Sequence, residues 1–559
     1  MRRAWTVIVA VLATVAGCRT GQLAGKLVIK GDVISMRERP AGAAPSSPGS
    51  PPIMVLALDG VGRDLLYDML RAGTLPNLAA LLGGPDFAHA DLDDRLLSNL
   101  PSTTMPAWVS TFTGVAAAEN GVPNNEYFIR ETKTFAAPAP VTFHSAAPTL
   151  AIYAEGYLDK LVEVPSVYER IHAADPAALE WVVMNHFFRG ADAMFLAKRE
   201  VMAKAFEAFV EKEAAHLSGK GSRATMQNLD EAVIHTLVSH LESGAVPDVL
   251  TLYLAGTDLY AHQALEGPDE ARRTYLAEVI DPALAPLIAR MRARGMLEHR
   301  WIIVIADHGH TQVVHDDQHA LDADEDDAPG VLHKVGFKTR PFQETVGAKD
   351  PFNAVLASGG AMGFVYLADR SRCPGERACA WSAPPRYKED VLAAAEGFFT
   401  NNADGALAPG MKGALDMIFV RVPKPVAEVD LPFEVYIGGG KTMSVAAYLE
   451  AHPHPTYIAL ADRLRELAVG PHGERAGDIL LLAHNGDRAT PEERFYFAAP
   501  YRSWHGSPSK QDSEIPLIVA NPDHDAAAIH ARVGKVLGDH PYQRKVTDLL
   551  LDLRGAPRD

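Results

Sequence analysis

The chain has 559 residues, of which 47% are apolar and 8% aromatic, a composition that is ordinary for an α/β protein with a large buried core. Its 53 Lys and Arg against 70 Asp and Glu give a formal net charge of −17, which argues against a general surface for nucleic acids or other polyanions. No internal repeat of fixed period is present, so solenoids and propellers are disfavoured.

The first segment has the pattern of an export signal. Arg2 and Arg3 precede an apolar stretch over residues 4–16, which is shorter than the roughly 20 residues that a bilayer crossing takes. The stretch ends in Val-Ala-Gly-Cys18, which resembles a bacterial lipobox, in which the chain is cut before the cysteine and Cys18 carries lipid. We therefore expect a lipoprotein signal peptide at 1–17 and a mature protein anchored to a membrane, in the periplasm or at the cell surface. A simple cleaved signal with an incidental cysteine is the alternative.

Residues 18–52 are predicted to form a tether. The part from 39 to 52 is rich in Pro, Gly, Ser and Ala, a composition that cannot form a packed core. The folded domain is then expected at 53–540, and residues 541–559 are expected to be a C-terminal tail.

From Ile53 onward, apolar runs typical of strands alternate with helical patterns. The predicted strands cover 53–58, 249–254, 301–306, 478–483 and 515–520, and the predicted helices cover about 64–82, 107–113, 203–216, 229–242 and 270–294. This alternation predicts an α/β fold with a doubly wound, mainly parallel sheet and helices on both faces.

An inserted cap region is predicted at about 311–440, where the periodicity is weaker. It contains Cys373 and Cys379, six residues apart, which are expected to form a local disulfide in an oxidising compartment. Two free surface thiols are the alternative. The acidic run 322–327 has no calcium-loop pattern and is interpreted as a solvated loop.

Six potential metal ligands lie at or just beyond these apolar runs or near the C-terminus, namely Asp59, Asp258, His262, Asp307, His308 and His505. In open α/β sheets, functional sites form beyond the carboxyl ends of the strands. Asp258 and His262 are four residues apart and share one face if a helical turn follows Gly256. Asp307 and His308 can converge only if the strand stops at Ala306. Any one of the six could be structural, but three carboxylates and three imidazoles are enough for two catalytic cations.

A hydroxyl group that could act as a nucleophile lies in Pro101-Ser102-Thr103-Thr104-Met105-Pro106, before a proline that can begin a helix. A free threonine hydroxyl is a poor nucleophile, and a neighbouring cation makes its attack on phosphorus feasible. Helix capping by Ser102 or Thr103 is the structural alternative, and it is compatible with catalysis.

Together these motifs resemble the alkaline phosphatase superfamily, most closely its nucleotide pyrophosphatase/phosphodiesterase branch, whose nucleophile motif is Pro-Ser-Lys-Thr-Phe-Pro. The resemblance implies that Thr104 is the nucleophile and a metal contact, and that the Asn125 amide holds a phosphoryl oxygen. It implies a first metal site at Asp258, His262 and His505, and a second at Asp59, Asp307 and His308. Two zinc ions are expected because mixed His and Asp ligation suits zinc, with manganese or iron as alternatives.

The resemblance implies a metal-dependent phosphodiesterase or nucleotide pyrophosphatase that acts on a small-molecule phosphoester through a phosphothreonine intermediate. Three departures from the family's pattern leave the substrate open. The chain has Thr103 where the family has lysine, Ala107-Trp108 where it has Asn-His, and Asn120 where it has histidine. Sulfatases are disfavoured because the motif lacks their convertible Cys or Ser and their arginine. Phosphomonoester or phosphonate hydrolysis, transfer of a phospho-headgroup, and a non-catalytic surface lipoprotein are the alternatives. Trp108, Tyr127 and Phe128 either stack on a base or belong to the core.

Overall fold

A computed structural model of the chain describes residues 19–37, 50–142, 145–197, 201, 223–242, 245–321, 325–346, 351–373, 378–423 and 430–558. The predicted signal peptide, Cys18 and the predicted helix 203–216 lie outside the described residues. Among the described residues, no helix is both long enough and apolar enough to cross a bilayer.

The strands of the described residues are numbered in chain order as β1 Val33–Ser35, β2 Ile53–Leu58, β3 Ala90–Asp93, β4 Tyr127–Ile129, β5 Thr134–Ala136, β6 Glu180–Val183, β7 Ala193–Phe195, β8 Val249–Leu254, β9 Trp301–Ala306, β10 Thr311–Gln312, β11 Ala354–Gly359, β12 Met362–Leu367, β13 Leu415–Arg421, β14 Phe433–Tyr436, β15 Thr442–Ser444, β16 Ile479–Ala483, β17 Ser503–Trp504 and β18 Leu517–Ala520.

The α-helices of the described residues are Arg19–Lys30, Arg63–Arg71, Pro76–Leu81, Thr104–Thr113, Ala117–Asn120, Ala147–Glu155, Val167–Ala174, Arg223–His240, Gly256–Ala261, Pro268–Tyr275, Asp281–Ala293, Ala328–Lys334, Ala393–Asp404, Val445–Ala451, Leu460–Ala468, Lys510–Ser513, Ala526–Leu537 and Lys545–Arg554.

The main sheet has eight strands in the order β1-β7-β6-β8-β2-β9-β18-β3. Its five central strands, from β7 to β9, run parallel, whereas β1, β18 and β3 pair antiparallel at the two sides. Every residue of β2, β8 and β9 is buried, because these apolar strands are covered on both faces. The expected α/β architecture with a mainly parallel sheet is therefore confirmed.

A second, six-stranded sheet has the order β11-β12-β16-β13-β14-β15 and is antiparallel throughout. The prediction that the apolar run 478–483 belongs to the core sheet was wrong, because β16 pairs with β12 and β13 of this second sheet. An apolar run indicates burial but does not say which neighbour covers it. The inserted structure consequently extends beyond residue 440. The run 515–520 does enter the main sheet as β18, in antiparallel orientation.

Two long predicted helices differ in detail from the observed ones. The predicted helix 64–82 is two helices, Arg63–Arg71 and Pro76–Leu81, because Gly73 takes a left-handed conformation with φ of 72° between them. The predicted helix 270–294 contains the π-helical segment Leu276–Ile280 between Pro268–Tyr275 and Asp281–Ala293.

Both ends of the described chain are packed on the folded unit. In the segment predicted as tether, helix Arg19–Lys30 buries Leu23 and Leu27, and β1 pairs with β7. In the segment predicted as tail, helix Lys545–Arg554 buries a row of leucines, and Arg554 Nη1 donates to the Ser50 carbonyl at 2.6 Å. The N-terminal segment was mistaken for peripheral chain because the Pro- and Gly-rich stretch 39–52 separates it from the domain. The C-terminal segment was mistaken because its packing partners lie far away in sequence. The expected disulfide between Cys373 and Cys379 is present.

Candidate active site

Three adjacent parallel strands carry the acidic residues to one edge of the main sheet. Leu58 of β2 is in register with Leu254 of β8 and with Ala306 of β9. Asp59 and Asp307 follow β2 and β9 directly, and Asp258 follows β8 in the short helix Gly256–Ala261. Because parallel strands end at the same edge, these carboxylates become neighbours, although Asp59 and Asp307 are 248 positions apart in the sequence.

Asp59, Asp307 and His308 form one group of buried ligand atoms. His308 Nε2 lies 3.5 Å from Asp59 Oδ1 and 3.5 Å from Asp307 Oδ2. The other oxygen of each carboxylate is held by the protein. Asp307 Oδ1 accepts from the backbone N–H groups of Gly60 at 3.0 Å and His308 at 2.9 Å, and Asp59 Oδ2 accepts from the Tyr253 hydroxyl.

Asp258, His262 and His505 form a second buried group. His262 Nε2 lies 3.4 Å and His505 Nε2 lies 3.9 Å from Asp258 Oδ1. The other ring nitrogen of each histidine donates a hydrogen bond to a backbone carbonyl. His262 Nδ1 donates to the Ser503 carbonyl at 2.7 Å, and His505 Nδ1 donates to the Ser102 carbonyl at 2.8 Å. This contact fixes the tautomer, so that the Nε2 lone pair faces the site, as it does in metal-binding histidines.

The donor set fits two divalent cations. Asp59 Oδ1 and Asp307 Oδ2 are buried and find no hydrogen-bond donor among the described residues, although an unpaired buried carboxylate oxygen is costly. Burial and the neighbouring carboxylates of Asp307 and Asp258 raise the pKa of Asp59 well above its ordinary value. Burial, with the nearby His308, lowers the pKa of His505 well below its ordinary value. Buried carboxylates beside neutral imidazoles leave negative charge that bound cations would balance.

Thr104 is the first residue of helix Thr104–Thr113, and its hydroxyl lies 3.2 Å from His308 Nε2. Because His308 Nδ1 donates to the Gly309 carbonyl at 3.0 Å, Nε2 is the acceptor and the threonine hydroxyl donates. Thr103 occupies the N-cap position without making a side-chain cap hydrogen bond. Ser102 is instead tied to Asn99 and Ser507 carbonyls, both at 3.1 Å.

Asn125 lies beside the same helix start. Its side-chain Oδ1 accepts a hydrogen bond from the Met105 backbone N–H at 2.9 Å, and its backbone N–H donates to Asn124 Oδ1 at 2.8 Å. With the side-chain oxygen held in this way, the amide nitrogen is available to donate to an anion near Thr104. All seven predicted site residues and Thr104 are thus brought to one region by the main sheet and the helix at its edge. The aromatic residues Trp108, Tyr127 and Phe128 are at most 1% exposed and belong to the core.

Sequence reasoning missed His310 and Tyr253. His310 Nε2 lies 2.7 Å from Asp258 Oδ1, and its Nδ1 lies 3.1 Å from Ser503 Oγ, so this imidazole orients the carboxylate of Asp258. Burial lowers the pKa of His310 to about 3. The signal available was its place two residues after His308, which puts the two side chains on one side of an extended segment. Tyr253 gave no signal beyond its strand position.

Comparison with known proteins gives the family of the chain. The family model described as type I phosphodiesterase / nucleotide pyrophosphatase matches residues 53–371, more than half of the chain. The chain belongs to this family. It is therefore a hydrolase of phosphodiester bonds in the alkaline phosphatase superfamily, and its family is metal-dependent. No curated protein sequence matches the chain significantly.

Solved structures with a similar chain path include murine ectonucleotide pyrophosphatase / phosphodiesterase 5, with a TM-score of 0.49 and 12% identity over 90% of this chain and 95% of that chain. An inactive threonine-to-alanine variant of that protein in complex with AMP has a TM-score of 0.48 and 12% identity, covering 91% of this chain and 96% of the other.

Proposed function

We propose that this phosphodiesterase-family protein hydrolyses phosphodiester or nucleotide pyrophosphate bonds with two divalent cations and a covalent intermediate on Thr104. The observation that carries the proposal is the 3.2 Å contact between the Thr104 hydroxyl and His308 Nε2. It puts a hydroxyl group at the start of a helix, next to carboxylate oxygens that lack a protein donor.

Asp59, Asp307 and His308 would hold one cation, and Asp258, His262 and His505 the other. When bound, the two ions supply charge neutralisation for the transferring phosphoryl group and lower the pKa of the attacking hydroxyl. Zinc suits the mixed carboxylate and imidazole ligands. His310 and Tyr253 act through these ligands by orienting Asp258 and Asp59.

The reaction proceeds in two displacements. Thr104 Oγ1 gives up its proton and attacks phosphorus in line. The P–O bond to the leaving group breaks on the opposite side, the departing alkoxide takes up a proton or the departing phosphate leaves as its anion, and a diester of Thr104 is formed. Water then attacks phosphorus from the side that the leaving group vacated and releases the phosphomonoester and the free threonine. The Asn125 amide donates to a non-bridging oxygen, which carries more negative charge in the transition state than in the substrate.

A diester substrate fits the charge of this region better than a monoester. A phosphomonoester carries an additional negative charge that requires an additional cationic group. Within the described parts of the chain, the Thr104 side chain contacts His308 and the Asn125 side chain contacts the Met105 N–H. Neither contact is with a lysine or an arginine. Thr103 also stands where the family usually has lysine, so that this positive charge is absent from the motif.

The cellular place of the reaction is part of the proposal. The export signal and the lipobox-like Val-Ala-Gly-Cys18 support an exported bacterial lipoprotein anchored through lipidated Cys18, acting in the periplasm or at the cell surface on a small-molecule phosphoester. Labelling with a radioactive fatty acid should modify the wild type and not a Cys18→Ala variant. Equal labelling of both would contradict this assignment.

The central test replaces Thr104. Thr104→Ala should lower the kcat for bis-p-nitrophenyl phosphate by about 10⁴-fold or more, as loss of a nucleophile does, with unchanged zinc content. Thr111→Ala is the matched control, because Thr111 Oγ1 donates to the Ala107 carbonyl within the same helix at 2.9 Å. Full activity of Thr104→Ala would defeat the nucleophile assignment.

The substrate class is tested in the same assay. The wild type should hydrolyse bis-p-nitrophenyl phosphate faster than p-nitrophenyl phosphate. The opposite order would favour a phosphomonoesterase, and zinc-loaded protein that is inactive on phosphodiesters, monoesters and phosphonates would favour a non-catalytic binding role.

A further inference from the structure

A separate cluster of metal-ligand side chains lies in the second sheet and takes no part in the site around Thr104. Ligand atoms of Asp416, His484 and Asp487 all lie within 4.8 Å of one another. His454 adjoins them, with Nδ1 3.6 Å from Asp416 Oδ2. These four residues are called the Asp416 cluster. Their side chains are between 7% and 16% exposed.

A β-bulge directs Asp416 into the cluster. In the pairing of β13 with β16, Leu415 opposes Ala483 and Met417 opposes Leu482, so that Asp416 is the extra residue. A bulge re-aims the side chain of its extra residue out of the regular alternation and commonly occurs next to functional sites. His484 follows β16 directly, and its backbone N–H donates to the Ala414 carbonyl at 2.9 Å, which fixes the imidazole opposite the bulge.

The ligand atoms of the cluster lie close enough together to converge on one tetrahedral ion after small side-chain shifts. His484 Nδ1 lies 2.8 Å from Asp487 Oδ2 and 3.7 Å from Asp416 Oδ1. Two ligand atoms at about 2.0–2.1 Å from a tetrahedral zinc ion are about 3.3 Å apart. The ligands come from β13 and from the loop after β16, and His454 lies in the loop after helix Val445–Ala451.

Each carboxylate of the cluster is held through one of its oxygens by a neighbouring donor of the protein. Asp416 Oδ2 accepts from the Tyr457 hydroxyl at 2.7 Å, and Asp487 Oδ1 accepts from the Asn485 N–H at 2.7 Å. One oxygen of each carboxylate is thus held by the protein. The other faces His484, and in Asp487 this second oxygen also lies 3.3 Å from Arg488 Nε. Two adjacent, largely buried carboxylates are unfavourable unless a cation or a proton lies between them.

We propose that Asp416, His484 and Asp487 bind a third divalent cation of the zinc type, with His454 beside them. One imidazole nitrogen and two carboxylate oxygens, completed by water, form a mixed donor set that suits zinc. A cavity of about 250 Å³ that Asp416 lines together with Tyr448 and His452 lies beside the cluster and gives the ion a path to the ligands.

The bound ion connects the second sheet to the loop that carries His505. Tyr457, which donates to Asp416, pairs with Ser509, and the Ile458 N–H donates to the Pro508 carbonyl at 3.0 Å. Pro508 and Ser509 follow His505 by three and four residues. The third ion therefore has a structural role, in which it stabilises the contact between the second sheet and the loop after His505 without contacting substrate.

Arg488 competes with the ion. Its Nη2 lies 2.8 Å from His484 Nε2, and because a guanidinium only donates, the imidazole proton resides on Nδ1 and faces Asp487. Binding an ion at Nδ1 requires that this proton leave and that Nε2 take up a proton from solvent. Arg488, whose side chain is 42% exposed, then loses its acceptor and turns to solvent. Removal of Arg488 should consequently strengthen the binding of the ion.

The test is the zinc content of the full chain after dialysis against buffered Zn²⁺, measured by inductively coupled plasma mass spectrometry. The wild type should hold three zinc ions per chain, and Asp416→Ala and His484→Ala should hold two while they keep bis-p-nitrophenyl phosphate hydrolysis within about twofold. His299→Ala is the matched control, since His299 pairs with Asp523 at 2.6 Å on the surface, and it should hold three.

Arg488→Ala keeps the inference testable if the ligand variants fail to fold, and it should bind the third Zn²⁺ about 10-fold more tightly. Two zinc ions in the wild type, or three in both folded ligand variants, would overturn the third site. So would an Arg488→Ala affinity equal to or weaker than that of the wild type. Inactive wild-type protein with three zinc ions would overturn the proposed hydrolysis and leave the third site intact.

Discussion

Asp230 should make the stability of this protein fall as the pH rises, and Asp230→Asn should remove that dependence. Asp230 is 2% exposed and lies on helix Arg223–His240. Its Oδ2 accepts from the Tyr275 hydroxyl at 2.9 Å and from the Gly256 N–H at 3.1 Å. It therefore holds the start of the helix that presents Asp258. Burial raises the pKa of Asp230 from 3.8 to about 7, although these hydrogen bonds lower it.

The sign and size of the effect follow from this pKa. Between the unfolded and the folded pKa, the folded protein retains a proton that the unfolded chain releases. The free energy of unfolding therefore contains a stabilising contribution that is complete below about pH 4 and is lost as the pH rises through about 7. At about 1.4 kcal/mol per pH unit, the loss between pH 5 and pH 8 is roughly 3 kcal/mol. An asparagine can accept the same two hydrogen bonds without titrating.

Urea denaturation of wild type and Asp230→Asn at pH 5 and pH 8, followed by circular dichroism, measures the contribution. The difference in unfolding free energy between the two proteins should change by roughly 3 kcal/mol in favour of the variant at pH 8. Changes in cation binding with pH affect both proteins and cancel in this difference. Asp68→Asn, which removes an exposed carboxylate on helix Arg63–Arg71, should show no such change. If the difference in unfolding free energy between the wild type and Asp230→Asn is the same at pH 5 and at pH 8, the reasoning is refuted.

Two further substitutions test the active site. Asn125→Asp keeps the oxygen that accepts from Met105 but loses the amide donor, so kcat should fall by about 10²–10³-fold with unchanged zinc content; an unchanged kcat would remove Asn125 from catalysis. In Gly60→Ala, at φ of 68°, the new Cβ would lie 2.7 Å from His310 Nε2 and 2.9 Å from Asp258 Cβ. Zinc affinity and stability should both fall, whereas Gly73→Ala, with φ of 72° and open space around it, should lose only about 1–2 kcal/mol of stability. Equal zinc affinities for the two glycine variants would contradict the steric argument.

The strand-end residues were predictable because their positions depend on local pattern alone. Apolar runs before Asp59 and Asp307 define strands, and the side chains that follow parallel strands meet at one edge. The spacing of Asp258 and His262 needed only one helical turn, which helix Gly256–Ala261 supplies. The resemblance to the phosphodiesterase family then connected these residues with Thr104, Asn125 and His505, which no periodicity could have joined.

Partners across the structure were not predictable from the same patterns. The run at 478–483 had the composition of a core strand, yet it pairs in the second sheet, because hydrophobicity fixes burial and not the neighbour. Helices Arg19–Lys30 and Lys545–Arg554 were assigned to a tether and a tail, since only their packing against the domain reveals that they belong to it.

The sequence by itself determined the ligand types, their order along the chain and the alternating strands that present them, because side-chain chemistry and hydrophobic period are local properties. Only the tertiary structure decided which oxygen of Asp59 is held by Tyr253, that His310 contacts Asp258, and that a bulge brings Asp416 to His484. These contacts join residues that are 52 to 194 positions apart in the sequence. Such contacts depend on how whole layers pack, a property that no single segment contains.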